Sequence, residues 1–375
     1  MIAYLDFNAS APIDKKVLEY MVEIYQNNFG NANSRTHIFG TTAKGIVESS
    51  RQTIADILSI DKTDIIFTSG STESNNMSVL GMLDYAKTSG RNHFITTSIE
   101  HKAILEPMKY LQTNGCKVDF ISPNESGRIK ADDVLSKISD KTAMVSVMHV
   151  NSETGIIQPV HEIGEALCKT SIYFHVDATQ SFGKLNNDLR NLKYDMLSIT
   201  AHKIRGPQGI GALILRRKNY KRPPIKPLLL GGPQERGFRP GTTPVALVAG
   251  FALAAQLCEE NHLKYVSGCK KIKDSFLNAI QELSYQLNGD PNYCMPNTIN
   301  LSFKGIDAES VFLALKNTYA FSNGSACTSG SFTPSYVLTA MGLDEERIRS
   351  ALRLSWDHDT EVDFTEFVQF IKSQV

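Results

Sequence analysis

The sequence predicts an α/β fold, with a large domain built on a mainly parallel sheet and a smaller α+β domain. Between residues 64 and 215, short β-branched runs alternate with Gly, Ser or Asn turns and with segments of helical period. This alternation is typical of a parallel sheet that is covered by helices on both faces. With 375 residues, the chain exceeds the length at which one hydrophobic core usually stops growing, so we expect a second domain in the C-terminal part.

Seven short apolar runs are the candidate strands of the large sheet, at residues 65–68, 93–97, 118–122, 143–150, 172–176, 196–200 and 211–215. Two stretches rich in Pro, Gly and Arg follow, and they indicate irregular surface or interface chain at residues 220–227 and 231–244. Beyond them, the sequence predicts a long helix, a further strand and a terminal helix, at residues 245–260, 298–303 and 362–372.

The charge balance and the cysteine usage argue against several classes of function. Lys plus Arg equals Asp plus Glu at 39 each, so the net charge favours neither a nucleic acid nor an acidic membrane surface as a direct partner. The six cysteines include no Cys-x-x-Cys pair, and the nine histidines show no metal-binding spacing. We therefore expect no metal site, no disulfide framework and a reducing compartment.

No segment of the sequence predicts secretion or insertion into a membrane. The N-terminus lacks a basic stretch followed by an apolar one, and the longest mostly apolar stretch, residues 245–258, is too short to span a bilayer. We therefore expect a cytoplasmic protein without a membrane partner.

Lys203 and Asp177 together predict a cofactor. Each follows a strand candidate, and ligands collect at such carboxyl ends of parallel strands. A lysine can bind an aldehyde cofactor covalently, and a carboxylate beside a ring nitrogen keeps that nitrogen protonated. The cofactor with both requirements is pyridoxal 5'-phosphate. Asp177 alone would be interpreted as an ordinary carboxylate in a turn, and it gains this role only through its pairing with Lys203.

Further polar residues near strand ends are candidates for holding this cofactor. Residues 68–76, Thr-Ser-Gly-Ser-Thr-Glu-Ser-Asn-Asn, follow a strand and open a helix. Free backbone N–H groups and the hydroxyl of Ser71 or Thr72 could therefore bind the phosphate, although either residue could simply cap the helix. Gln180 and Asn151 are candidates to bind the phenolic oxygen, and ordinary hydrogen bonding within loops explains each equally well.

Three other residues suggest chemistry. His101 could stack on the cofactor ring and move protons, or it could be a capping or solvated histidine. Arg353 could bind a substrate carboxylate through two parallel hydrogen bonds, or it could pair with an acidic neighbour. Cys327 lies on the small-residue loop Gly324-Ser-Ala-Cys-Thr-Ser-Gly. A thiolate on such a loop could attack sulfur, and a surface cysteine without function is the alternative.

Taken in order, these motifs resemble those of the cysteine desulfurases, the pyridoxal phosphate enzymes that include NifS and IscS. The resemblance covers nearly the whole chain, through Phe29-Gly-Asn-Ala-Asn-Ser-Arg-Thr-His, residues 68–76, Glu100-His-Lys-Ala, His175-Val-Asp-Ala-Thr-Gln-Ser, His202-Lys-Ile, Arg239-Pro-Gly-Thr, Gly324-Ser-Ala-Cys-Thr-Ser and Arg353-Leu-Ser. The joint order and spacing of these motifs is far more specific than any one of them.

The resemblance implies the type I aminotransferase-like fold of pyridoxal phosphate enzymes. It implies a large cofactor-binding domain over residues 12–250 and a small domain formed by residues 1–11 together with residues 251–375. The small domain would carry the loop of the catalytic cysteine, at residues 320–333. The resemblance further implies a homodimer whose active sites lie at the interface between the subunits.

The resemblance also implies a role for each candidate residue. Lys203 would bind the cofactor and move the substrate α-proton, Asp177 would pair with the ring nitrogen, and His101 would stack on the ring and act in acid–base steps. Arg353 would bind the substrate carboxylate, and Cys327 would take up the sulfur. Gln180 and Asn151 would contact the phenolic oxygen and orient the substrate, while the phosphate would be held by Thr72, Thr200, His202 and, from the other subunit, Thr242.

The implied activity is the conversion of L-cysteine to L-alanine, with transfer of sulfur to a persulfide on Cys327 and then to an acceptor protein. The pathway stays open between iron–sulfur assembly, tRNA thiolation and DNA phosphorothioation. Two alternatives remain, a selenocysteine lyase of the same fold and a non-catalytic interaction module that binds the cofactor.

Overall fold

A seven-stranded sheet lies at the centre of the computed structural model, which describes residues 2–218, 220–322 and 334–374. Its strands are β2 (Ile65–Thr68), β3 (His93–Thr97), β4 (Lys117–Ile121), β5 (Thr142–Met148), β6 (Tyr173–Asp177), β7 (Met196–Thr200) and β8 (Gly211–Leu215). They lie side by side in the order β2-β8-β7-β6-β5-β3-β4. Strand β8 is antiparallel to both of its neighbours, and the other pairs are parallel. The predicted mainly parallel seven-stranded sheet is therefore confirmed.

Helices cover the sheet and fill the C-terminal part of the chain. They are α1 (Lys15–Asn27), α2 (Ile38–Leu58), α3 (Ser71–Leu80), α4 (Leu83–Ser89), α5 (Lys102–Thr113), α6 (Ala131–Leu135), α7 (Val160–Leu167), α8 (Asn186–Asn191), α9 (Val245–Glu260), α10 (His262–Ala279), α11 (Ala308–Leu315), α12 (Tyr336–Ala340), α13 (Glu345–Arg349) and α14 (Thr365–Gln374). The long helix predicted at residues 245–260 is confirmed to the residue. No helix in the described ranges is long and apolar enough to cross a bilayer.

The large sheet is buried on both faces, and this explains why its strands are continuous apolar runs in the sequence. In β8, Ala212 and Ile214 pack into the hydrophobic cluster that contains α2 and α9. Leu213 and Leu215 point to the opposite face, where they pack into a second cluster with α3 and α5. Because each fully buried aliphatic side chain stabilises the fold by about 1.5–3 kcal/mol, the two-sided burial anchors the strand ends that carry the site.

A smaller antiparallel sheet contains β9 (Tyr285–Leu287), β10 (Thr298–Phe303) and β12 (Ala351–Ser355), with β10 in the middle. The first strand of the chain, β1 (Ala3–Tyr4), pairs in parallel with β11 (Tyr319–Ala320). The N-terminal residues therefore join the C-terminal part of the chain. The limits of the two domains stay a prediction, and helix α9 runs through the boundary at residue 250.

The stretch at residues 231–244 is irregular, as predicted, and contains a short 3-10 turn at Gln234–Gly237. A buried carboxylate anchors it. Both Nη atoms of Arg51 donate to Glu235 at 2.8 Å, and the backbone N–H of Phe67 donates to the same carboxylate at 2.8 Å. This ion pair fixes the stretch against strand β2, which leads directly into the predicted phosphate-binding segment.

Candidate active site

A cleft of about 1200 Å³ opens at the carboxyl ends of the parallel strands. It collects residues from both sheets and from the N-terminal segment, among them Asp6, Asn8, Ser71, Thr72, His101, Asp177, Gln180, His202, Lys203 and Arg353. Most of the residues predicted for the site in the described ranges thus meet in one place. Asn151, Thr200 and Thr242 are not among those that line the cleft.

Lys203 follows β7 and lies in the cleft, where its Nζ contacts the N-terminal segment. Nζ donates to the carbonyl oxygens of Asn8 at 2.6 Å and Ala9 at 2.5 Å. Burial lowers the pKa of the Lys203 amine to about 7, with a further contribution from the positive charges of Lys184 and Arg353. The amine can therefore lose its proton near neutral pH, as a nucleophile that forms an imine must.

Asp177 is the last residue of β6 and is buried at the bottom of the cleft. Its Oδ2 accepts a hydrogen bond from Nδ2 of Asn75 at 2.7 Å, and its Oδ1 accepts one from the backbone N–H of Thr179 at 2.9 Å and one from the Thr179 hydroxyl. These donors hold the carboxylate in one orientation and compensate for its burial.

The predicted phosphate-binding segment forms the N-terminus of α3. Gly70 is the N-cap residue, and no side chain caps the helix; in the structure, capping is therefore not the role of Ser71 or Thr72. The Ser71 Oγ is buried and has no hydrogen-bond partner. A helix N-terminus with an unpaired hydroxyl beside it is a natural site for an anion.

Two histidines flank this segment. His202 lines the cleft, and its Nδ1 lies 3.0 Å from the Oγ1 of Thr200, which is buried behind the cleft wall. Burial lowers the pKa of His202 to about 4, helped by the charge of Lys203. His101 caps α5 through Nδ1, which accepts from the N–H of Ala103 at 3.1 Å. Burial also lowers the pKa of His101, and the nearby Asp177 carboxylate opposes this effect.

Gln180 and Asn151, the two candidates to bind the phenolic oxygen of the cofactor, differ in whether their side chains reach the cleft. Gln180 lines the cleft, and its Nε2 donates to the carbonyl of Asn8 at 2.9 Å. Asn151 is buried, with its Nδ2 bound to the Ile99 carbonyl and its Oδ1 accepting from the Glu153 and Thr154 backbones. In this arrangement the Asn151 amide holds the loop that follows β5, while Gln180 faces the cleft.

Arg353 projects from β12 and closes the cleft on the side of the smaller sheet. Its Nη2 donates to Asp6 Oδ1 at 2.5 Å, and its Nη1 donates to the Ser152 carbonyl at 3.3 Å. The Nε atom is buried and has no hydrogen-bond partner. The guanidinium is therefore held by two contacts and keeps donor capacity for a carboxylate in the cleft.

The structure does not place two of the predicted residues in the cleft. Thr242 is exposed and outside the cleft lining, so nothing in one chain brings it to the predicted phosphate site. Cys327 lies outside the described residues, and its role stays a prediction.

One grouping in the described ranges has metal-ligand geometry, Asp357, His358 and Asp359. The guanidinium of Arg205 occupies it, with Nε 2.6 Å from Asp357 Oδ2 and Nη2 2.7 Å from Asp359 Oδ1. An arginine so placed already neutralises the carboxylates, and the expectation of an enzyme without a metal stays a prediction.

Comparisons with known proteins show which family this chain resembles. The aminotransferase class-V family matches residues 3–363. A mitosomal cysteine desulfurase from Trachipleistophora hominis is 42% identical over 359 residues, which are 93% of this chain and 80% of that protein. The crystal structure of DndA from Streptomyces lividans is 43% identical, covers 93% of this chain and 98% of its own, and superposes with a TM-score of 0.83. SspA in complex with cysteine is 35% identical, with a TM-score of 0.83 and coverage of 94% and 98%.

The chain belongs to the cysteine desulfurases of the class-V aminotransferase family. This membership confirms the predicted resemblance and the predicted fold. In and behind the desulfurase cleft lie residues that the sequence did not single out. Asn8 receives the Lys203 amine, Asp6 receives Arg353, and Lys184 adds a buried charge behind Lys203.

Glu100 is a missed residue that carried a signal in the sequence. It lies three residues after a buried strand and directly before His101, so a carboxylate near a strand end could have been expected to be buried. Its Oε1 accepts from the Thr97 hydroxyl at 2.7 Å and from the N–H of Met148 at 2.8 Å. Burial raises the pKa of Glu100 to about 8, so its carboxyl group is mostly protonated at neutral pH.

Proposed function

We propose that this desulfurase uses pyridoxal phosphate on Lys203 to release the sulfur of L-cysteine, with L-alanine as the second product. One observation carries the proposal. A lysine amine with a pKa of about 7 lies in a cleft whose floor is the buried carboxylate of Asp177, at the end of the neighbouring strand. The cysteine bound in the structure of SspA supports the choice of substrate.

The residues of the cleft fit pyridoxal phosphate. The unpaired, buried Ser71 Oγ at the N-terminus of α3 offers a donor for the phosphate, and Thr72 and His202 lie in the same wall. Gln180 offers an amide to the phenolic oxygen, and Asp177 offers a fixed carboxylate to the ring nitrogen. When bound, the cofactor supplies an electron-withdrawing ring that stabilises negative charge at the substrate α-carbon.

Protons at that carbon would be handled by Lys203 and His101. The Lys203 amine is available without its proton near pH 7 because of its lowered pKa, so Nζ can accept the α-proton and return it. The lowered pKa of His101 favours the neutral ring, and a neutral imidazole can both accept and donate a proton.

The substrate carboxylate would bind Arg353. The guanidinium is fixed by Asp6 and Ser152 before the substrate arrives, so little side-chain entropy is lost on binding. Because the group is planar and presents paired donors, it also selects the orientation of the amino acid.

Cys327 would receive the sulfur. L-cysteine and one thiol give L-alanine and one persulfide, so atoms and electrons balance without an external oxidant or reductant. The persulfide sulfur would then pass to an acceptor protein by thiol exchange. The likeness to DndA keeps DNA phosphorothioation among the candidate pathways, beside iron–sulfur assembly and tRNA thiolation. The cytoplasmic location stays a prediction.

A homodimer is part of the proposal. Several large apolar side chains are exposed, namely Phe29, Ile38, Phe39, Leu229 and Leu230. The rings of Phe29 and Phe39 stack with centroids 5.4 Å apart, so these two exposed side chains form one apolar patch. Exposed apolar surface of this kind marks interfaces, and a second subunit could bring Thr242 to the phosphate site. Light scattering should give twice the mass of one chain.

Replacement of Lys203 tests the cofactor part of the proposal. The purified protein should absorb near about 400 nm through its lysine-bound cofactor, and Lys203→Ala should lose this band and all alanine formation from cysteine. Lys193→Ala, at an exposed lysine, is the control and should keep both. An unchanged band in Lys203→Ala would reject the assignment of the cofactor lysine.

Replacement of Cys327 tests the sulfur part. Cys327→Ala should keep the absorption band and lose persulfide formation and sulfur transfer, whereas Cys168→Ala, at a partly exposed cysteine, should keep all three. Full sulfur transfer by Cys327→Ala would exclude Cys327 as the sulfur acceptor and leave the cofactor assignment intact.

A further inference from the structure

Lys184 is a buried lysine behind the cleft, and the reaction proposed above assigns it no role. It lies in the turn between β6 and α8, and its side chain is 5% exposed. Its Nζ makes one hydrogen bond within the described residues, to the Oε1 of Gln180 at 3.4 Å. Burial of an ammonium group is costly unless the charge is compensated, so such a lysine needs a reason to be there.

The carboxylate that could compensate the charge of Lys184 already has other partners. Burial lowers the pKa of Lys184, and Asp357 is the acidic group that opposes this effect most strongly. Its carboxylate also accepts from the backbone N–H of His358 at 2.7 Å and lies 2.6 Å from the Nε of Arg205. Lys184 therefore shares its counter-ion with the Arg205 guanidinium, which leaves its positive charge only partly compensated.

The chain brings Lys184 close to Lys203 by tight packing. Gly183 adopts a left-handed conformation with φ +78°, and a Cβ at this position would lie 2.5 Å from Cγ2 of Ile204. Only glycine permits this approach, because any side chain would push apart the Lys184 turn and the segment that carries Lys203. The two lysines are thus held near one another by the backbone.

Lys184 and the Asn8 carbonyl together favour one orientation of the Gln180 amide. The amide oxygen faces the Lys184 ammonium, and the amide nitrogen donates to Asn8. In the flipped amide, an NH2 group would face the ammonium and an oxygen would face the Asn8 carbonyl, so both contacts would be repulsive.

We propose that Lys184 is a positioning residue of the active site, which fixes the Gln180 amide with its donor toward the cleft and sets a positive charge behind Lys203. This inference deepens the proposed function and rests on Lys203 as the cofactor lysine. Lys184 touches neither cofactor nor substrate and acts only through Gln180 and Lys203.

The pKa of the Lys203 amine depends on the ionisable groups around it. Lys184 and Arg353 lower the pKa of the Lys203 amine, and Asp6 and Asp177 raise it. His101 and His202 also lie in this field, and burial favours their neutral forms. Since a nearby positive charge destabilises the protonated amine, removal of the Lys184 charge should raise the pKa of Lys203.

The test uses the cofactor-free chain, so that its outcome does not depend on turnover. The amine of Lys203 is labelled with trace acetic anhydride across a pH series, and its labelled peptide is quantified by mass spectrometry. The unaltered chain should show a midpoint near pH 7. Lys184→Met and Lys184→Gln should both shift the midpoint to higher pH, whereas Lys184→Arg, which keeps the charge, and the exposed control Lys169→Met should not.

A second measurement separates the two parts of the proposal. The dissociation constant for pyridoxal phosphate should rise about fivefold in Lys184→Met, because the Gln180 amide loses the hydrogen bond from Lys184 that helps to orient it. It should change less in Lys184→Gln, whose amide can still donate to Gln180. If Lys184→Met does not fold, the comparison of Lys184→Gln with Lys184→Arg carries the test of the charge.

Two outcomes would overturn the inference: a Lys203 midpoint unchanged in Lys184→Gln, or a shift in Lys184→Arg as large as in the neutral variants. Either result would leave the proposed function untouched, because that function is tested by the absorption band and alanine formation of Lys203→Ala and by sulfur transfer in Cys327→Ala.

Discussion

The two halves of the cleft differ in how far apart along the chain their residues lie. The cofactor half consists of the strand ends and helix starts of the large sheet, with Ser71, His101, Asp177 and Lys203. The substrate half consists of Asp6, Ser152 and Arg353, and its central contact, between Asp6 and Arg353, joins residues 347 positions apart. The cofactor half is built on one rigid layer, whereas the substrate half forms only where three distant segments meet. Substitutions should therefore affect the cofactor half through chemistry and the substrate half through binding.

The largest effect is expected for Asp177→Asn in the cofactor half. The amide cannot carry the negative charge that a protonated ring nitrogen needs, so kcat for alanine formation should fall by about 10²- to 10³-fold, the usual loss for one partner of a buried charged pair. Steady-state kinetics with L-cysteine measures it.

Asp195→Asn is the matched control for this substitution. Asp195 is also buried, but it lies just before β7, at the end of the strands opposite to the cleft. Its Oδ2 accepts a hydrogen bond from the N–H of Phe174 at 2.8 Å. Asp195→Asn should lower the free energy of unfolding and leave kcat unchanged. An equal fall of kcat in both variants would mean that the sheet, rather than the charge, was lost.

The next largest effect is expected for Arg353→Lys in the substrate half. A lysine keeps the charge but loses the paired donors, so KM for cysteine should rise by about 10- to 100-fold. The cofactor absorption should stay unchanged, because Arg353 belongs to the other half. In the control Arg347→Lys, on α13 of the same region, the lost contacts are to Asn288 and Leu287, and KM should stay constant. A loss of cofactor in Arg353→Lys would contradict the division into halves.

A smaller effect is expected for Asp6→Asn. The variant weakens one of the two contacts that hold Arg353 and should raise KM by about fivefold, with kcat unchanged. Asp14→Asn, at the exposed cap of α1, is the control. A fall in KM instead would show that Asp6 competes with the substrate carboxylate for the guanidinium.

The smallest effect on activity is expected for Glu100→Gln, which should instead change the pH dependence of stability. The pKa of Glu100 is raised to about 8 in the folded chain, against an ordinary value of 4.5. Between these values the folded state binds more protons than the unfolded state, so the free energy of unfolding falls as pH rises. Glutamine has no such proton. Relative to the unaltered chain, the variant should gain stability from pH 5 to pH 8, by an amount on the order of a few kcal/mol.

Urea unfolding of the cofactor-free chain at several pH values measures this difference. Glu125→Gln, at an exposed glutamate, should show no such gain. A Glu100→Gln variant whose stability follows the unaltered chain at every pH would place the charged carboxylate, rather than the protonated one, in the folded state.

The cofactor half was largely predictable from the sequence, because its residues are fixed by position relative to strands. Asp177 and Lys203 follow predicted strands, and topology alone brings such positions together. The four strands at residues 65–68, 93–97, 196–200 and 211–215 were predicted to the residue because two-sided burial favours short runs of mostly apolar and β-branched residues.

The substrate half was predictable only in part. Arg353 was identified, but its partners Asp6 and Ser152 lie on distant segments, and no local pattern encodes such contacts. The same limit explains Lys184, which has no neighbouring signal in the sequence. It also explains Asn151, whose amide proved to be occupied by nearby backbone groups that only the folded loop brings within reach.

The pairing of β1 with β11 has a consequence for synthesis of the protein. Asn8 and Ala9, which cover Lys203, follow β1 closely, and the strand partner of β1 at Tyr319–Ala320 is synthesised more than 300 residues later. The large sheet can form while translation continues, but the N-terminal segment can pair over the cleft only after residue 320 has been synthesised. Since contacts of such long range form slowly, a nascent chain exposes its reactive lysine well before it can hold an amino acid beside it.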